Sequence, residues 1–233
     1  MRRSKLHKAQ SALYDRNTRY EFAQAIELLK SMPHVKFDET VDLALKLGID
    51  PRKSDQNVRG AVALPFGTGK SVRVCVVADG SQAEEAKAAG ADIVGYDDVV
   101  AKIKDGWLDF DILIATGEAM KLVRPLGRQL GPRGLMPNPK TGTVTEQVGN
   151  AVKEAKAGRA EFRADRGACV HVPIGKLSFA TEALCGNYNV VIDALLKAKP
   201  ASAKGAYILS CTVSSTMSPG VKVVVKDTTA RQK

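Results

Sequence analysis

The chain has 233 residues, of which 44 % are apolar and 26 % charged, a balance that suits one large or two ordinary globular domains and excludes a disordered polymer. No apolar run approaches the ~20 residues of a membrane span, and the charged opening Met1-Arg2-Arg3-Ser4-Lys5-Leu6-His7-Lys8 has no apolar stretch behind it, so neither a membrane anchor nor a secretory signal is expected. Cys75, Cys169, Cys185 and Cys211 stand far apart with no His at ligand spacing, which speaks against zinc and disulfides and for a reducing cytoplasm. The net charge of +10 lies wholly outside residues 67–157, where 12 basic residues offset 12 acidic ones.

In chain order, Phe22, Ala25, Ile26 and Leu29 recur at helical spacing and predict a helix over 21–32, closed by Pro33. Residues 37–47 alternate, with Val41, Leu43, Leu45 and Leu47 on one face, as in a strand with one wet side. A polar loop over 50–57 leads to a return strand over 60–66. The pattern then changes: 72–78 is continuously apolar, as expected of a strand covered on both faces. A helix over 81–89, a strand over 91–94, a helix over 97–104 and a strand over 111–115 form βαβ units with a parallel sheet. A Gly-, Pro- and Arg-rich loop over 126–142 and a helix over 146–157 complete this segment.

Alternation returns beyond Arg159. Strands over 161–165 and 169–174 flank Arg166-Gly167 as a hairpin. An amphipathic helix follows, with Leu184, Tyr188, Val191, Ile192, Leu195 and Leu196 on one stripe. The last strands are expected over 206–214 and 221–225, and the tail 225–233 shows no assignable pattern. The economical architecture is an α+β two-domain protein: 1–66 plus 158–233 form one discontinuous α+β domain, with 67–157 inserted as an α/β domain. Glycines near both crossings, Gly67 and Gly158, would suit a hinge.

No catalytic motif survives inspection. Gly67-Thr68-Gly69-Lys70-Ser71 resembles the end of a phosphate loop, but Leu64 stands where the first glycine belongs and a strand follows where a helix should. A nucleotide-dependent enzyme using Lys70 is the rival this fragment suggests. His7, His34 and His171 are scattered, and Cys169 and Cys211 are expected to be packing residues. The strand over 206–214 offers more. With Tyr207, Leu209, Cys211 and Val213 toward the core, Ser210, Thr212 and Ser214 would form a row of hydroxyls able to bond phosphates, 2′-OH groups or base edges. The turn Thr216-Met217-Ser218-Pro219-Gly220 would bring backbone amides and an exposed Met to the same end.

Longer strings carry a family signal. Lys36-Phe37-Asp38-Glu39-Thr40-Val41, the run from Leu47 to Gly60 containing Asp50-Pro51-Arg52-Lys53-Ser54-Asp55-Gln56-Asn57, Gly106-Trp107-Leu108-Asp109-Phe110-Asp111, the loop from Leu126 to Lys140, Glu161-Phe162-Arg163 and Thr216-Met217 together resemble the bacterial L1 ribosomal proteins almost end to end. The resemblance implies a ribosomal protein and not an enzyme, with no cofactor or metal, whose inserted domain is Rossmann-like. The partners it implies are the large-subunit rRNA at the L1 stalk, exit-site tRNA whose release is assisted, the messenger of its own operon, which such proteins repress, and other ribosomal components. By resemblance, RNA-binding positions are Lys36, Phe37, Thr40, Arg163, Asp165, Arg166, Ser210, Thr216, Met217 and Ser218. Arg124, Arg128, Arg133 and Lys140 are candidate tRNA contacts on the basic loop. One departure stands out: the family's usual glycine after Thr-Met is Ser218 here, which must take a common backbone conformation or accept strain, and weaker RNA binding is the expectation to test.

Overall fold

The computed structural model describes residues 4–225; the expectation for the tail beyond Val225 lies outside them. The elements are α1 (Lys5–Ala12), α2 (Phe22–Ser31), β1 (Thr40–Leu47), β2 (Arg59–Ala63), β3 (Val74–Val77), α3 (Gly80–Ala88), β4 (Ile93–Gly95), α4 (Asp97–Lys104), β5 (Ile112–Ala115), α5 (Met120–Val123), α6 (Gly127–Leu130), α7 (Val148–Gly158), β6 (Arg159–Arg163), β7 (Cys169–Lys176), α8 (Thr181–Lys197), β8 (Ile208–Ser215) and β9 (Val221–Val223). The fold is mixed α and β, with a four-stranded, a three-stranded and a two-stranded sheet. By internal contacts the chain falls into two compact units, one made of both chain ends up to Gly69 and from Ala160, the other of Lys70–Arg159.

In the first unit the four-stranded sheet runs β7-β1-β8-β9, antiparallel throughout. Alternation along β1 buries Val41, Leu43, Leu45 and Leu47 on one face, against which α2 and α8 pack. Phe22 of α2 stacks on Tyr188 of α8 with ring centroids 4.0 Å apart. Helix α2 stops where Met32, preceding Pro33, turns extended, because a residue before proline is sterically kept from the α region. The buried stripe of α8 includes one polar residue, Asn187, which is wholly buried and fully occupied. Its amide nitrogen donates to Gly67 O at 3.0 Å and Ile174 O at 2.8 Å, and its oxygen accepts from Phe66 N at 3.2 Å. At the far edge of the sheet, Tyr20 forms a parallel bridge to Val223, with Tyr20 N donating to Lys222 O and Val224 N donating to Tyr20 O, both at 2.9 Å.

Two expectations about strands need correction. Strands β6 and β7 are consecutive but not a hairpin: β7 pairs with β1, and β6 pairs with β2 in a separate two-stranded sheet. The strand expected over 60–66 is observed as β2 and lies along β6. Gly60 is required there, since a Cβ would sit 2.7 Å from the Phe162 ring. Leu209 does not face the core but is 45 % exposed, because the β1–β8 register shifts between Lys46 and Leu47. Lys46 opposes Ser210 and Leu47 opposes Ile208, so Leu209 is the extra residue of a bulge, and alternation restarts beyond it.

The second unit has a parallel sheet, β4-β3-β5. Every residue of β3 is buried. Cys75 and Val77 meet Val99, Val100 and Ile103 of α4, while Val74 and Val76 meet Ala86 of α3 and Val148, Ala151 and Val152 of α7. The segment expected as a loop over 126–142 contains helical turns. Leu126 and Leu130, spaced i and i+4, are 4 % and 0 % exposed and fasten it to the core. Asn138 holds its end: Asn138 N donates to Thr143 Oγ1 at 2.8 Å, and Lys140 N donates to Asn138 Oδ1 at 2.8 Å. Arg124, Arg128, Arg133 and Lys140 all remain exposed on this ordered frame.

Candidate nucleic-acid interface

The face of the four-stranded sheet opposite α2 and α8 carries polar, charged and small side chains in the register of β1. Strand pairing lays its side chains out in rows: Pro173, Asp42 and Ser214; His171, Ala44, Thr212 and Lys222; Cys169, Lys46 and Ser210. The hydroxyls of Ser210, Thr212 and Ser214 thus share a face with two lysines and a histidine. Cys211, on the opposite face, is buried, and burial pushes its thiol up to about 12, as it does that of Cys75. Both are packing groups and not nucleophiles at neutral pH.

One end of this face is built around a buried carboxylate. Glu39 is 1 % exposed. One of its oxygens accepts from the Ser215 hydroxyl and, at 3.0 Å, from Met217 N; the other accepts from Val35 N at 3.3 Å. His34 Nδ1 stands 3.4 Å away without an aligned hydrogen bond. Burial alone would raise the carboxyl, but the three hydrogen bonds and the nearby imidazole outweigh it and hold Glu39 below its ordinary 4.5. One side chain thereby fixes the loop before β1 to the turn after β8. Thr216 Oγ1 adds to this by accepting from Thr40 N at 3.0 Å and donating to Thr40 O at 3.4 Å. Lys176 Nζ reaches Thr40 Oγ1 at 3.0 Å, and Asp38 accepts from the Ser178 hydroxyl at 2.8 Å. Above this network Phe37 and Met217 are left 54 % and 51 % exposed, with Lys36 also exposed beside them in sequence.

Two of the turn's amides are already occupied: Met217 N is taken by Glu39, and Ser218 N donates to Ser215 O at 3.2 Å. Ser218 resolves the question posed by the missing glycine. It does not adopt positive φ, and its hydroxyl accepts from Ser215 N at 2.8 Å and donates to Pro219 O at 3.2 Å.

The other predicted residues lie elsewhere. Arg163 ends β6, and Asp165 and Arg166 belong to the β6–β7 connection, which abuts the Lys46 end of β1: Lys46 Nζ donates to Gly167 O, and Leu47 N donates to Ala168 O at 2.8 Å. Six residue steps of β1 separate this end from Thr40, or roughly 20 Å. The structure therefore brings Lys36, Phe37, Thr40, Thr216, Met217 and Ser218 together at one end and places Arg163, Asp165, Arg166 and Ser210 at the other. Asp165 serves the turn itself. Its Oδ1 accepts from Cys169 N at 2.7 Å and Gly167 N at 2.8 Å, and these bonds hold its carboxyl below the usual range. Ala168 follows at φ 57°, the one non-glycine residue with positive φ among the described residues. Arg163 and Arg166 line a hollow of about 390 Å³ with Pro51 and Asn57.

Sequence reasoning missed Glu39, Ser215 and Lys176 as parts of this site. The signal was parity: Glu39 continues the buried series Val41, Leu43, Leu45, and Ser215 continues Cys211 and Val213. Two polar residues on the buried phase of neighbouring strands mark a hydrogen-bonded pair. Among the described residues no group of three or more His, Cys, Asp or Glu could hold a metal ion, and no helix is long and apolar enough to cross a membrane. Compared with known proteins, residues 28–219 match the model of the ribosomal protein L1p/L10e family.

Proposed function

Since this chain belongs to the ribosomal protein L1p/L10e family, with the ribosomal structural role and rRNA binding that go with it, we propose that it binds the L1 stalk of the large-subunit rRNA through the open face of its first unit. The observation that carries this is the Glu39 network, which ties the segment bearing exposed Phe37 to the turn bearing exposed Met217 at the end of a hydroxyl-bearing sheet. Exposed apolar groups on an ordered frame are suited to stack on unpaired bases. The Ser210, Thr212 and Ser214 hydroxyls would bond 2′-OH groups, and Lys46, Arg163 and Arg166 would neutralise phosphates at the far end. Asp165 and Ser218 enter as positioning residues, because their side chains are spent on their own turns.

The test is binding to the stalk rRNA fragment at rising salt, beside an unrelated hairpin of equal length. A preference that survives about 0.2 M salt supports the proposal, because non-specific phosphate binding fades steeply there. Equal, salt-labile binding to both would sink it.

Residues 67–157 are read as an inserted Rossmann-like domain whose glycine-bearing connections, Gly67 at φ 68° and Gly158 at φ 104°, let it act as a moving arm. On it, exposed Arg124, Arg128, Arg133 and Lys140 would touch exit-site tRNA and assist its release. Crosslinking to deacylated tRNA on ribosomes that fails to mark this loop would remove that part. Repression of the chain's own operon messenger follows if that messenger presents the same RNA shape to the same face. Fractionation separates a ribosomal protein from a dedicated repressor, which would be absent from large subunits.

A further inference from the structure

A groove next to the open face combines residues that precede and follow the 28–219 segment matching the family with residues of β8 inside it. Its floor is β9 with the adjoining part of β8, and its wall is the stretch from α1 to Tyr20. It consists of two hollows. One, of about 530 Å³, is lined by His7, Tyr14, Arg16 and Lys222 among others; the second, of about 220 Å³, by Arg19, Leu209 and Ser210 among others. Thr212 and Lys222 border both. Because Lys222 pairs with Thr212 in the sheet register, the groove opens directly onto the hydroxyl row.

The loop that carries its two arginines is closed by hydrogen bonds. The Asp15 carboxylate accepts from Asn17 N at 3.0 Å and the Thr18 hydroxyl at 2.8 Å, and the Tyr20 hydroxyl accepts from Asp15 N at 3.1 Å. Those two carboxylate bonds hold the Asp15 carboxyl below its usual range, with Lys222 contributing a smaller share. This closed loop carries Arg16 and Arg19 on its exposed side. Among the described residues neither arginine, nor Lys222, has a carboxylate within ion-pair distance. Three cations around one committed carboxylate make a local surplus of positive charge. The bulged, exposed Leu209 lines the second hollow together with Arg19, Ser210 and Thr212.

We propose that this groove binds the backbone of a further stretch of the same RNA, resting on the reading of the sheet face as the RNA site. Arg16, Arg19 and Lys222 would neutralise successive phosphates, and Leu209 would pack a sugar or base. A recess lined by both cations and an apolar side chain fits a strand of nucleotides, which presents both charge and apolar surface. A membrane surface is planar and would reach the arginines but not the recess.

The experiment compares the full chain with an Arg16→Gln/Arg19→Gln variant on two RNAs: the minimal stalk fragment and the same fragment extended by flanking nucleotides. The altered side chains are exposed and make no described hydrogen bond, so the fold is expected to be retained, as circular dichroism would verify. On the extended RNA the double variant should bind on the order of tenfold more weakly at ~0.1 M salt, and the slope of log affinity against log salt should shrink by about 1.5. On the minimal RNA both should be unchanged. Equal losses on the two RNAs would overturn the proposal by showing diffuse attraction in place of a track. No loss on either would also overturn it, while leaving the sheet-face reading standing. A loss confined to binding of phosphatidylserine vesicles would assign the groove to lipid headgroups and equally refute it. If the unaltered chain shows no preference for the stalk fragment, the underlying reading falls first and this inference with it.

Discussion

In the parallel sheet β4-β3-β5 every residue of the central strand is buried, whereas in the antiparallel sheet β7-β1-β8-β9 only alternate residues of β1 are. The first sheet is sandwiched by helices and its apolar run is spent entirely on packing. The second covers one face with α2 and α8 and leaves on the other a set of hydroxyls, lysines and two exposed apolar side chains. Charge follows the same division: the excess of +10 lies outside 67–157, which is neutral. A strand wrapped on both sides can supply stability and support loops, while a strand wrapped on one side can also hold a partner.

That contrast can be broken or sharpened by substitution. The largest effect is expected from Leu113→Ala in the covered sheet. The residue is 2 % exposed, and truncation should cost about 2–5 kcal/mol in urea unfolding while the folded protein keeps its affinity for stalk RNA. A parallel fall in RNA affinity would show that the division of labour is not real.

Glu39→Ala comes next and should affect both properties. It strands the Ser215 hydroxyl, Met217 N and Val35 N, for a loss of about 2–3 kcal/mol together with weakened RNA binding. Its pH dependence has a defined sign. The folded carboxyl titrates below the ordinary 4.5, so on acidification the unfolded chain takes up the proton first. The stability difference between the unaltered chain and the variant should be full above pH 4.5 and shrink as pH falls through the folded value. A difference that grew in acid would contradict the assignment.

Phe37→Ala should reverse the Leu113 pattern. Stability should stay within about 0.5 kcal/mol, as for other exposed sites. RNA affinity should fall by about 1–3 kcal/mol, the range for a lost base stack. Isothermal titration alongside urea unfolding separates the two. The smallest effect belongs to Ser218→Gly, expected to lose about 0.5–1.5 kcal/mol of stability with the Ser218 hydroxyl's bonds and to gain no RNA affinity. A clear gain would mean that the missing glycine matters through close approach of RNA to the backbone.

Local periodicity made individual elements legible. Helix α4 begins and ends where its sequence predicts, and the wet and buried phases of β1 were plain. Pairing was not, because partners are chosen by contacts distant in sequence: β6 sits beside β7 along the chain yet pairs with β2. Leu209 was misplaced because one extra residue reverses the parity on which such readings depend. Helix α1 escaped notice since its fully buried residue is Gln10, whose amide nitrogen donates to Pro33 O at 2.9 Å, and not an apolar stripe. Of the site, the residues that would touch RNA stood out as strings, but Glu39, which organises them, is one acid among many until its phase is compared with its neighbours.

The bridge from Tyr20 to Val223 has a consequence of another kind. β9 is the last strand of its sheet, and a bare last strand is a template on which a second molecule can add a strand of its own. Tyr20 takes up Lys222 O and Val224 N, the groups such a strand would need first. Trimming the chain to begin after Tyr20 would uncover them, and the shortened protein should self-associate in a concentration-dependent way visible by light scattering. The arm before α2 thus occupies part of the edge to which a second copy could otherwise add a strand.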